Sequence, residues 1–373
     1  MKFTCYKNDL VEAMQILIHF VAVKPMTTGL SGVYLKANEE GLELQTNNLN
    51  MGARLNISLT VNEPGEVVVS GKTFYDFVRN MPEDTITLFG DEAAPVFFLE
   101  SGGAHIELLT MPVGEFIKVK DQDTYGSFKI RSNVLKNMIR KTVFAVTKDN
   151  ERLIFRGCCF EISGNRLNLI ATNAQRIAVA SEEFQRKEDE FNEHVTFVVP
   201  PEALRCLMQY FDPNDVENVI EIKHSGRIAT FEFDKVFMYS RIIDGEFPSY
   251  DRAFETDYKT TLEVDKAEFR QAVELIALNA RTADFNAIRF DIMPSQTKVW
   301  SSSNEVSEAR RIIESNLSGD PLEIAFNVDY ILDVLRVLDS KRIHIKFGDR
   351  YEPALFSEDG NENYSYVVTP VRI

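Results

Sequence analysis

The segment that comes closest to a catalytic motif is GEVVVSGKT, residues 65–73. A phosphate-binding loop has the pattern G-x-x-x-x-G-K-[ST] before a helix, because its backbone N–H groups surround the phosphates. Here five residues separate Gly65 from Gly71, and three of them are valines, which favour a β-strand. We therefore interpret the segment as a strand that runs into a helix. Nucleotide binding through Gly71 and Lys72 is kept as an alternative.

Histidine and cysteine residues show no other catalytic pattern. The histidines lack HExxH spacing and the chain has no nucleophile-elbow motif, while the cysteines form neither CxxC nor a zinc-type spacing. We expect the cysteines to be buried as small apolar residues. The residues concerned are His19, His105, His194, His224, His344, Cys5, Cys158, Cys159 and Cys206. The sequence thus predicts a protein without catalysis, cofactor or metal.

Three segments predict amphipathic helices that occupy matching places along the chain. They are KNDLVEAMQILIHFVAV (7–23), RSNVLKNMIRKTVFAV (131–146) and DKAEFRQAVELIALNA (265–280). In the second segment Leu135, Met138 and Ile139 recur at helical spacing, as expected for a helix that packs on one side.

After each helix come two alternating strands joined at a polar Thr/Ser-Asn corner. These pairs are LELQTNNLNMGARL (42–55), LNLIATNAQRIAV (167–179) and KVWSSSNEVSEARR (298–311). Each pair is followed by a strand that leads into a second helix, in residues 65–81, 195–211 and 322–338. Ser70, the Pro200–Pro201 pair and Asn327 are suited to begin these second helices.

The first helices start near residues 8, 132 and 266, which is a period of about 130 residues and too long for a solenoid repeat. The pattern predicts an α+β protein of three repeated domains, each made of two βαβββ halves. Polar linkers at residues 118–130 and 252–264 place the predicted domains at 1–122, 123–253 and 254–373.

The net charge argues against tight binding of a polyanion. The chain has 41 Lys and Arg against 57 Asp and Glu, a formal charge of −16, and part of the excess lies in the acidic segment 182–193. No apolar stretch approaches the roughly 20 residues that span a bilayer, and the N-terminus lacks the pattern of a secretory signal. These features predict a cytoplasmic protein without a membrane partner.

Three blocks of the sequence resemble the bacterial DNA polymerase III β subunit family, the DNA sliding clamps. They are ATNAQRIAVA (171–180), RIIDGEFPSYDRAF (241–254) and YVVTPVRI (366–373), whose family counterparts read A-T-D-G-H-R-L-A, D-G-x-F-P-x-Y and L/M-P-x-R-L. The chain departs from these patterns at Asn173, Ala174, Gln175, Thr369 and Ile373. If the usual glycine has a positive φ, Ala174 is expected to strain that corner.

The resemblance implies a DNA clamp fold assembled as a head-to-tail ring of two copies, with helices inside and sheets outside. Such a ring encircles double-stranded DNA and serves as a processivity factor for the polymerase III catalytic subunit. Its other partners are the clamp loader and further replication and repair proteins. Encirclement holds the ring without strong phosphate contacts, so an acidic outer surface is compatible with this function.

The resemblance also implies three sets of site residues. DNA-facing residues are Lys24, Lys72, Lys136, Arg140, Lys148, Arg205, Arg270 and Arg336, although each fits a solvated helix charge equally well. A peptide-binding pocket is expected from Phe155, Thr172, Ala174, Gln175, Arg176, Ile177, Pro248, Arg252, Asn327, Tyr330, Pro353, Val367, Val368, Thr369, Pro370, Val371, Arg372 and Ile373. The terminal residues among them also fit a paired C-terminal strand. Dimer contacts are expected at Ile106 and Leu278.

Besides the clamp, two other classes of function remain open. One is a repeat scaffold that binds peptides but not DNA, and the other is the nucleotide-binding enzyme.

Overall fold

Six α-helices are present among the residues described by the structure, a computed structural model that covers residues 1–22, 27–90, 94–121, 126–147, 152–184, 194–302 and 308–372. The helices are α1 (Lys7–Leu17), α2 (Gly71–Asn80), α3 (Ser132–Thr142), α4 (Pro201–Tyr210), α5 (Lys266–Ala280) and α6 (Val328–Val337). Two helices have side-chain caps: Asp265 accepts a hydrogen bond from the Glu268 backbone N–H, and Asn327 accepts one from that of Asp329.

The β-strands lie between these helices in a regular order. They are β1 (Lys2–Tyr6), β2 (Gly32–Asn38), β3 (Gly41–Asn47), β4 (Met51–Ile57), β5 (Val61–Glu63), β6 (Gly65–Ser70), β7 (Thr85–Gly90), β8 (Val96–Ser101), β9 (Ala104–Met111), β10 (Ser127–Arg131), β11 (Cys158–Ser163), β12 (Arg166–Thr172), β13 (Arg176–Glu183), β14 (His194–Val199), β15 (Val219–His224), β16 (Ile228–Phe233), β17 (Val236–Arg241), β18 (Thr260–Asp265), β19 (Ala287–Met293), β20 (Gln296–Ser302), β21 (Glu308–Glu314), β22 (Asn316–Ser318), β23 (Leu322–Asn327), β24 (Arg342–Phe347), β25 (Ala354–Glu358) and β26 (Asn361–Val368).

The element order confirms the predicted βαβββ halves. The pattern β1-α1-β2-β3-β4 recurs six times along the chain, with only the short strands β5 and β22 added. Two predicted helices were too long, because α1 ends at Leu17 and α3 at Thr142, and a 3₁₀ turn follows each of them (Ile18–Phe20 and Val143–Ala145).

The chain divides into two compact units, which are described separately. The first comprises the described residues within 1–133 and 205–242, and the second comprises those within 134–184, 194–204 and 243–372. The first unit contains one antiparallel sheet in the order β10-β15-β16-β17-β4-β3-β2-β6-β9-β8-β7-β1-β5. The second contains a sheet in the order β14-β11-β12-β13-β26-β25-β24-β18-β22 and a smaller one in the order β21-β20-β19-β23.

Apolar side chains of the helices and strands form the cores of both units. On α1, Leu10, Met14 and Leu17 are fully buried where the helix contacts α2, β3 and β4. In the second unit α5 packs against α6 and β19–β21 through Phe269, Val273 and neighbouring residues. All four cysteines are buried free thiols, as predicted.

Residues 65–73 do not form a phosphate-binding loop. Strand β6 ends at Ser70 and α2 begins at Gly71, so Lys72 lies in the first turn of a helix that continues directly from the strand. This geometry leaves no loop whose N–H groups could surround phosphates, and it supports the strand-and-helix interpretation.

Candidate functional site

The turn between β12 and β13, residues 172–177, is held by its own side chains. Thr172 Oγ1 accepts a hydrogen bond from the Ala174 N–H at 3.1 Å and donates one to the Arg176 carbonyl at 2.7 Å. Asn173 Oδ1 accepts from the N–H groups of Gln175 and Arg176, both at 3.0 Å. Ala174 has a φ of 72°, so the expected positive φ is confirmed. An alanine in this region costs about 1–2 kcal/mol.

An apolar cavity of about 180 Å³ lies beside this corner. Ile177 and Val367 form its floor and belong to a buried cluster on neighbouring strands that also includes Cys159 and Ile170. The segment 243–254, which follows β17, covers one side of the cavity. The residues that line the cavity are Phe155, Thr172, Ala174, Gln175, Arg176, Ile177, Phe247, Pro248, Ser249, Tyr250, Ala253, Pro353, Val367 and Thr369.

A second and more polar cavity of about 490 Å³ adjoins the first. Gln175 and Thr369 line both cavities, which makes them neighbours on one surface of the second unit. The other lining residues are Phe285, Asn286, Asn327, Tyr330, Pro370, Val371 and Arg372. Phe285 is 71% exposed at the rim and has a positive φ of 57°, so a large apolar side chain is presented to solvent from a strained turn.

Arg176 connects the corner to helix α6. Its guanidinium donates to Asp333 Oδ2 at 2.8 Å and to the Phe144 carbonyl at 2.7 Å, and it lies 4.4 Å from the centre of the Tyr330 ring. Burial disfavours its charge, but the interactions with Tyr366 and Asp333 outweigh burial and hold the pKa of Arg176 above its ordinary value. Arg176 is therefore a charged structural element of the cavity wall.

The C-terminal segment and Tyr330 complete the boundary between the cavities. The Tyr330 hydroxyl donates to Gln175 Oε1 at 2.6 Å and accepts from Asn173 Nδ2 at 3.1 Å. The Thr369 N–H donates to the Gln175 carbonyl at 2.9 Å, and the Val371 N–H donates to the Ala325 carbonyl at 2.8 Å. The last described residues are thus hydrogen-bonded to the corner and to β23.

Most residues expected in the pocket lie together in the structure. Those that line the apolar cavity are Phe155, Thr172, Ala174, Gln175, Arg176, Ile177, Pro248, Pro353, Val367 and Thr369, and those that line only the polar cavity are Asn327, Tyr330, Pro370, Val371 and Arg372. Arg252 and Val368 line neither cavity, and Val368 is fully buried. Ile373 lies outside the described residues.

Sequence reasoning missed several lining residues. They are Phe247, Ser249, Tyr250, Ala253, Phe285 and Asn286. The first three belong to the block DGEFPSY, so this motif was a signal that the whole segment forms a wall. No comparable pattern marks Phe285, because its position depends on the turn before β19.

Some of the expected DNA-facing residues form ion pairs with carboxylates of the chain, and others do not. Arg140 contacts Asp339 Oδ2 at 2.5 Å, Arg270 contacts Glu274 at 2.7 Å and Arg336 contacts Asp333 at 3.0 Å. Lys72 and Arg205 are exposed on α2 and α4 and form no ion pair with other described residues. Lys136 is half-buried on α3, while Lys24 and Lys148 lie outside the described residues.

The two residues expected at a dimer contact are placed on different elements. Ile106 lies half-buried on β9, whose residues 104–109 pair with β8 on one side and with no other described strand on the second side. Leu278 is 73% exposed on α5, close in sequence to the exposed Leu275. Strand β21 is the end strand of the smaller sheet in the second unit.

Within the described part of the chain, no group of three or more His, Cys, Asp or Glu side chains is arranged to hold a metal ion. None of the described helices is both long and apolar enough to span a bilayer.

Three family models match consecutive parts of the chain. They are the N-terminal, central and C-terminal domains of the DNA polymerase III beta subunit, at residues 1–120, 129–249 and 251–372. Curated proteins named "Beta sliding clamp" from Vibrio cholerae and Bacillus subtilis are 27% and 26% identical, and in both cases the match covers 100% of each chain.

Solved structures give the same result for the fold. The DNA polymerase sliding clamp from Bacillus subtilis matches with a TM-score of 0.94 at 26% identity, covering 100% of this chain and 99% of that one. The DNA polymerase III subunit beta from Pseudomonas aeruginosa matches with a TM-score of 0.93 over 100% of both chains. The repeated βαβββ fold is that of a DNA clamp. The chain belongs to the DNA polymerase III beta subunit family, the bacterial sliding clamps.

Proposed function

We propose that the chain is a DNA sliding clamp, a processivity factor without catalysis of its own. Two copies close head to tail into a ring around duplex DNA, with helices inside and sheets outside. The ring tethers the DNA polymerase III catalytic subunit and other replication and repair proteins, and a clamp loader opens it. The observation that carries this proposal is the sixfold βαβββ order, matched along its whole length by the three models of one family.

Ring closure in this proposal joins β9 of one copy to β21 of the next. Both strands have an unpaired edge among the described residues, and each belongs to a different unit, so the contact is heterologous, and in the proposed ring it closes after two copies. Leu278 and Ile106 supply apolar area to this contact. The alternation of β21, with Arg310 exposed and Ile313 buried, is suited to an edge that receives another strand.

Among the expected DNA contacts, Lys72 and Arg205 are the strongest candidates because their charges are not taken up by ion pairs with described residues. Arg140, Arg270 and Arg336 already have carboxylate partners, which lowers their net attraction for phosphate. We expect Lys72→Ala/Arg205→Ala to shorten retention on DNA and to reduce its salt dependence, while Arg336→Ala has the smaller effect.

The apolar cavity is the proposed binding site for a peptide motif of partner proteins. An apolar cavity of roughly 150 Å³ accommodates benzene, so about 180 Å³ is sufficient for one leucine or phenylalanine side chain. The adjoining polar cavity, with Asn327, Gln175 and Arg372, is suited to the more polar flank of such a peptide.

The three domains at 1–122, 123–253 and 254–373 and a cytoplasmic location complete the proposal. The matched models end and begin close to these boundaries, and four buried free thiols are compatible with a reducing compartment.

Two measurements test the ring. The mass in solution is expected to be that of a dimer, and the loaded protein is expected to stay on nicked circular DNA and to leave after the DNA is made linear. A peptide scaffold that does not bind DNA would show equal retention on both forms, which would contradict the clamp. Micromolar ATP binding that is lost in Lys72→Ala would instead favour the nucleotide-binding enzyme.

A truncation tests the pocket separately from the ring. Removal of residues 369–373 eliminates the hydrogen bonds of Thr369 and Val371 to Gln175 and Ala325. We expect peptide binding to be lost while the dimer mass is unchanged. Unchanged peptide affinity would place the binding site elsewhere.

A further inference from the structure

A row of three polar residues crosses the sheet next to the floor of the apolar cavity. Glu161 on β11 is the cross-strand neighbour of Asn168 on β12, which is in turn the neighbour of Ser181 on β13. Two residues further along these strands, the same face carries Cys159, Ile170 and Val179, which belong to the buried cluster that contains the cavity residues Ile177 and Val367. The polar row therefore borders this apolar cluster on one face of the sheet.

The three side chains are joined by hydrogen bonds that converge on Glu161, which also accepts one from Tyr250. Ser181 Oγ donates to Asn168 Oδ1 at 2.7 Å, which turns the Asn168 amide nitrogen toward Glu161 Oε2 at 2.8 Å. The Tyr250 hydroxyl donates to the same oxygen of Glu161 at 2.5 Å. A short bond from a hydroxyl to a carboxylate is among the stronger hydrogen bonds in proteins.

Tyr250 lines the cavity, and the segment that carries it packs on the buried cluster through apolar side chains, with few polar bonds to the sheet. Among described residues, the backbone hydrogen bonds of residues 244–254 are local ones, such as those from Ala253 to Tyr250 and from Phe254 to Asp251. The Tyr250 hydroxyl bond therefore joins the covering segment to the sheet at a defined point. Burial, together with the hydrogen bond and charge of Glu161, raises the pKa of Tyr250, so its hydroxyl remains a donor.

We propose that Glu161, oriented by Asn168, is a positioning residue that holds the Tyr250 ring as a wall of the apolar cavity. This inference rests on the proposed peptide-binding function of the cavity. Glu161 does not line the cavity and acts on a bound peptide only through Tyr250.

The first unit supports this inference by contrast. There the corresponding covering segment, residues 112–121, is attached to Tyr34 and Gln45, which lie at the places of Cys159 and Ile170 in the second unit. Phe116 stacks on Tyr34 with ring centres 5.4 Å apart, and the Val119 N–H donates to Gln45 Oε1 at 2.7 Å. In the second unit the polar attachment lies one row away, and the covering segment contacts the apolar cluster only through apolar side chains such as Phe247 and Phe254.

The test compares three variants for binding of a fluorescent peptide that contains adjacent leucine and phenylalanine residues, using the intact dimer. Tyr250→Phe keeps the ring and removes only the hydroxyl, and Glu161→Gln keeps the shape and removes the charge. We expect each to bind the peptide about tenfold more weakly. Tyr239→Phe, which removes a hydroxyl bond to Asn47 in the first unit, is the matched control and is expected to bind within about twofold of wild type.

A double-mutant cycle separates positioning from a general loss of stability. If both residues act through one bond, Tyr250→Phe/Glu161→Gln is no weaker in binding than either single variant. We also expect faster amide hydrogen exchange in residues 244–254 with an unchanged melting temperature. Additive losses of affinity, or an unchanged affinity in both single variants, would overturn the inference.

Val367→Tyr, which fills the cavity, makes the two possible failures distinguishable. If this variant loses binding while Tyr250→Phe and Glu161→Gln do not, the pocket stands and the positioning role is wrong. If wild type and Val367→Tyr bind the peptide equally well, the proposed pocket itself is wrong.

Discussion

The corner at residues 47–52 in the first unit has the same hydrogen-bonded backbone as the corner at 172–177 in the second. Asn48 Oδ1 accepts from the N–H groups of Asn50 and Met51, as Asn173 does from Gln175 and Arg176. Leu49 has a φ of 75°, close to the 72° of Ala174. Only the second corner lies beside the apolar cavity, so the backbone of the corner does not determine whether a cavity forms.

The side chains that cross the sheet account for the difference. In the first unit the row Tyr34, Gln45 and Arg54 lies where the second unit has Cys159, Ile170 and Val179. Arg54 contacts Asp121 at 2.7 Å, and Gln45 binds the backbone of Val119, so these polar residues hold the covering segment. Apolar residues at the same places offer no polar attachment, and the covering segment of the second unit packs on their cluster through apolar side chains alone.

In the first unit the Tyr239 ring occupies the place beside the corner, and Gly52 leaves room for it. Gly52 pairs with Tyr239 across the junction of β4 and β17, whereas Ile177 pairs with Val367 across that of β13 and β26. A Cβ added at Gly52 would lie 2.6 Å from Tyr239 Cε1 and 3.2 Å from Val119 Cγ2. The absence of a side chain at Gly52 thus gives room to Tyr239, whose hydroxyl donates to Asn47 Oδ1 at 2.8 Å.

The surroundings of the last turn of α3 in the second unit differ in charge from those of the last turn of α1 in the first unit. We call these two places the helix junctions. In the second unit Lys141 of α3 is 3% exposed and donates to Glu358 Oε2 at 2.5 Å, and Arg140 donates to the Val337 carbonyl. In the first unit the place of Lys141 in the equal-length helix α1 is taken by Ile16, and the Tyr210 hydroxyl donates to the Gln15 carbonyl at 3.0 Å. One junction is ionic and the other is neutral.

The largest expected effect comes from Lys141→Met, which replaces the cation of the Lys141–Glu358 ion pair with an apolar side chain. It leaves Glu358 buried without its cation, and we expect a loss of about 3–5 kcal/mol in the free energy of unfolding at pH 7, measured with urea. The control is Tyr210→Phe in the neutral junction, expected to cost about 1 kcal/mol.

The cost of Lys141→Met is expected to shrink in acid. Burial tends to raise the pKa of Glu358, but hydrogen bonds from Lys141 and the Asp339 N–H outweigh burial and lower it. Contacts with Arg140 and Lys141 likewise outweigh burial at Asp339. The stability from these lowered pKa values is present above the ordinary values of 4.5 and 3.8 and is lost as the pH falls below them. A cost that is equal at pH 7 and pH 3 would contradict the ionic junction.

Gly52→Ile gives the first corner the residue that the second unit has at this place. Because the new side chain would overlap Tyr239 and the Thr46 carbonyl, we expect a loss of about 3 kcal/mol in the free energy of unfolding. Ile177→Val in the second unit is the matched control, with an expected cost of about 1 kcal/mol. Wild-type stability of Gly52→Ile would mean that the first corner has unused space.

Val367→Tyr gives the second unit the tyrosine that fills the first. The ring is expected to occupy the cavity and to weaken peptide binding by about tenfold or more, measured by fluorescence anisotropy. The melting temperature should change little, because the ring enters existing space. The polar cavity is left intact in this variant, so full retention of binding would locate the main anchor there.

The smallest expected effect concerns the two strained corners, where Leu49 and Ala174 have nearly the same positive φ. Ala174→Gly and Leu49→Gly should each stabilise the protein by about 0.5–1 kcal/mol, because glycine adopts a positive φ without strain. The control is Ala178→Gly within strand β13, which should destabilise the protein by about 1 kcal/mol. A gain at one corner only would show that the corners differ in strain.

The order of helices and strands could be predicted from the sequence because it depends on local periodicity. Helical spacing in residues 131–146 and 265–280 and alternation around the Asn48 and Asn173 corners are properties of short segments. The strain at Ala174 could also be anticipated, since it follows from a residue that replaces a glycine in a motif. The short lengths of α1 and α3 could not, because the apolar pattern of each continues through a 3₁₀ turn.

The sequence by itself therefore determined the repeated βαβββ order, the strand and helix at residues 65–73 and most of the cavity residues that lie in recognisable blocks. Only the tertiary structure decided which corner has an open cavity, which cations already have carboxylate partners and how Tyr250 is held. These features depend on cross-strand neighbours, such as Gly52 with Tyr239 and Glu161 with Asn168, that are distant or offset along the chain. Periodicity assigns each residue to a face of its own strand, but the register between strands sets which side chains meet.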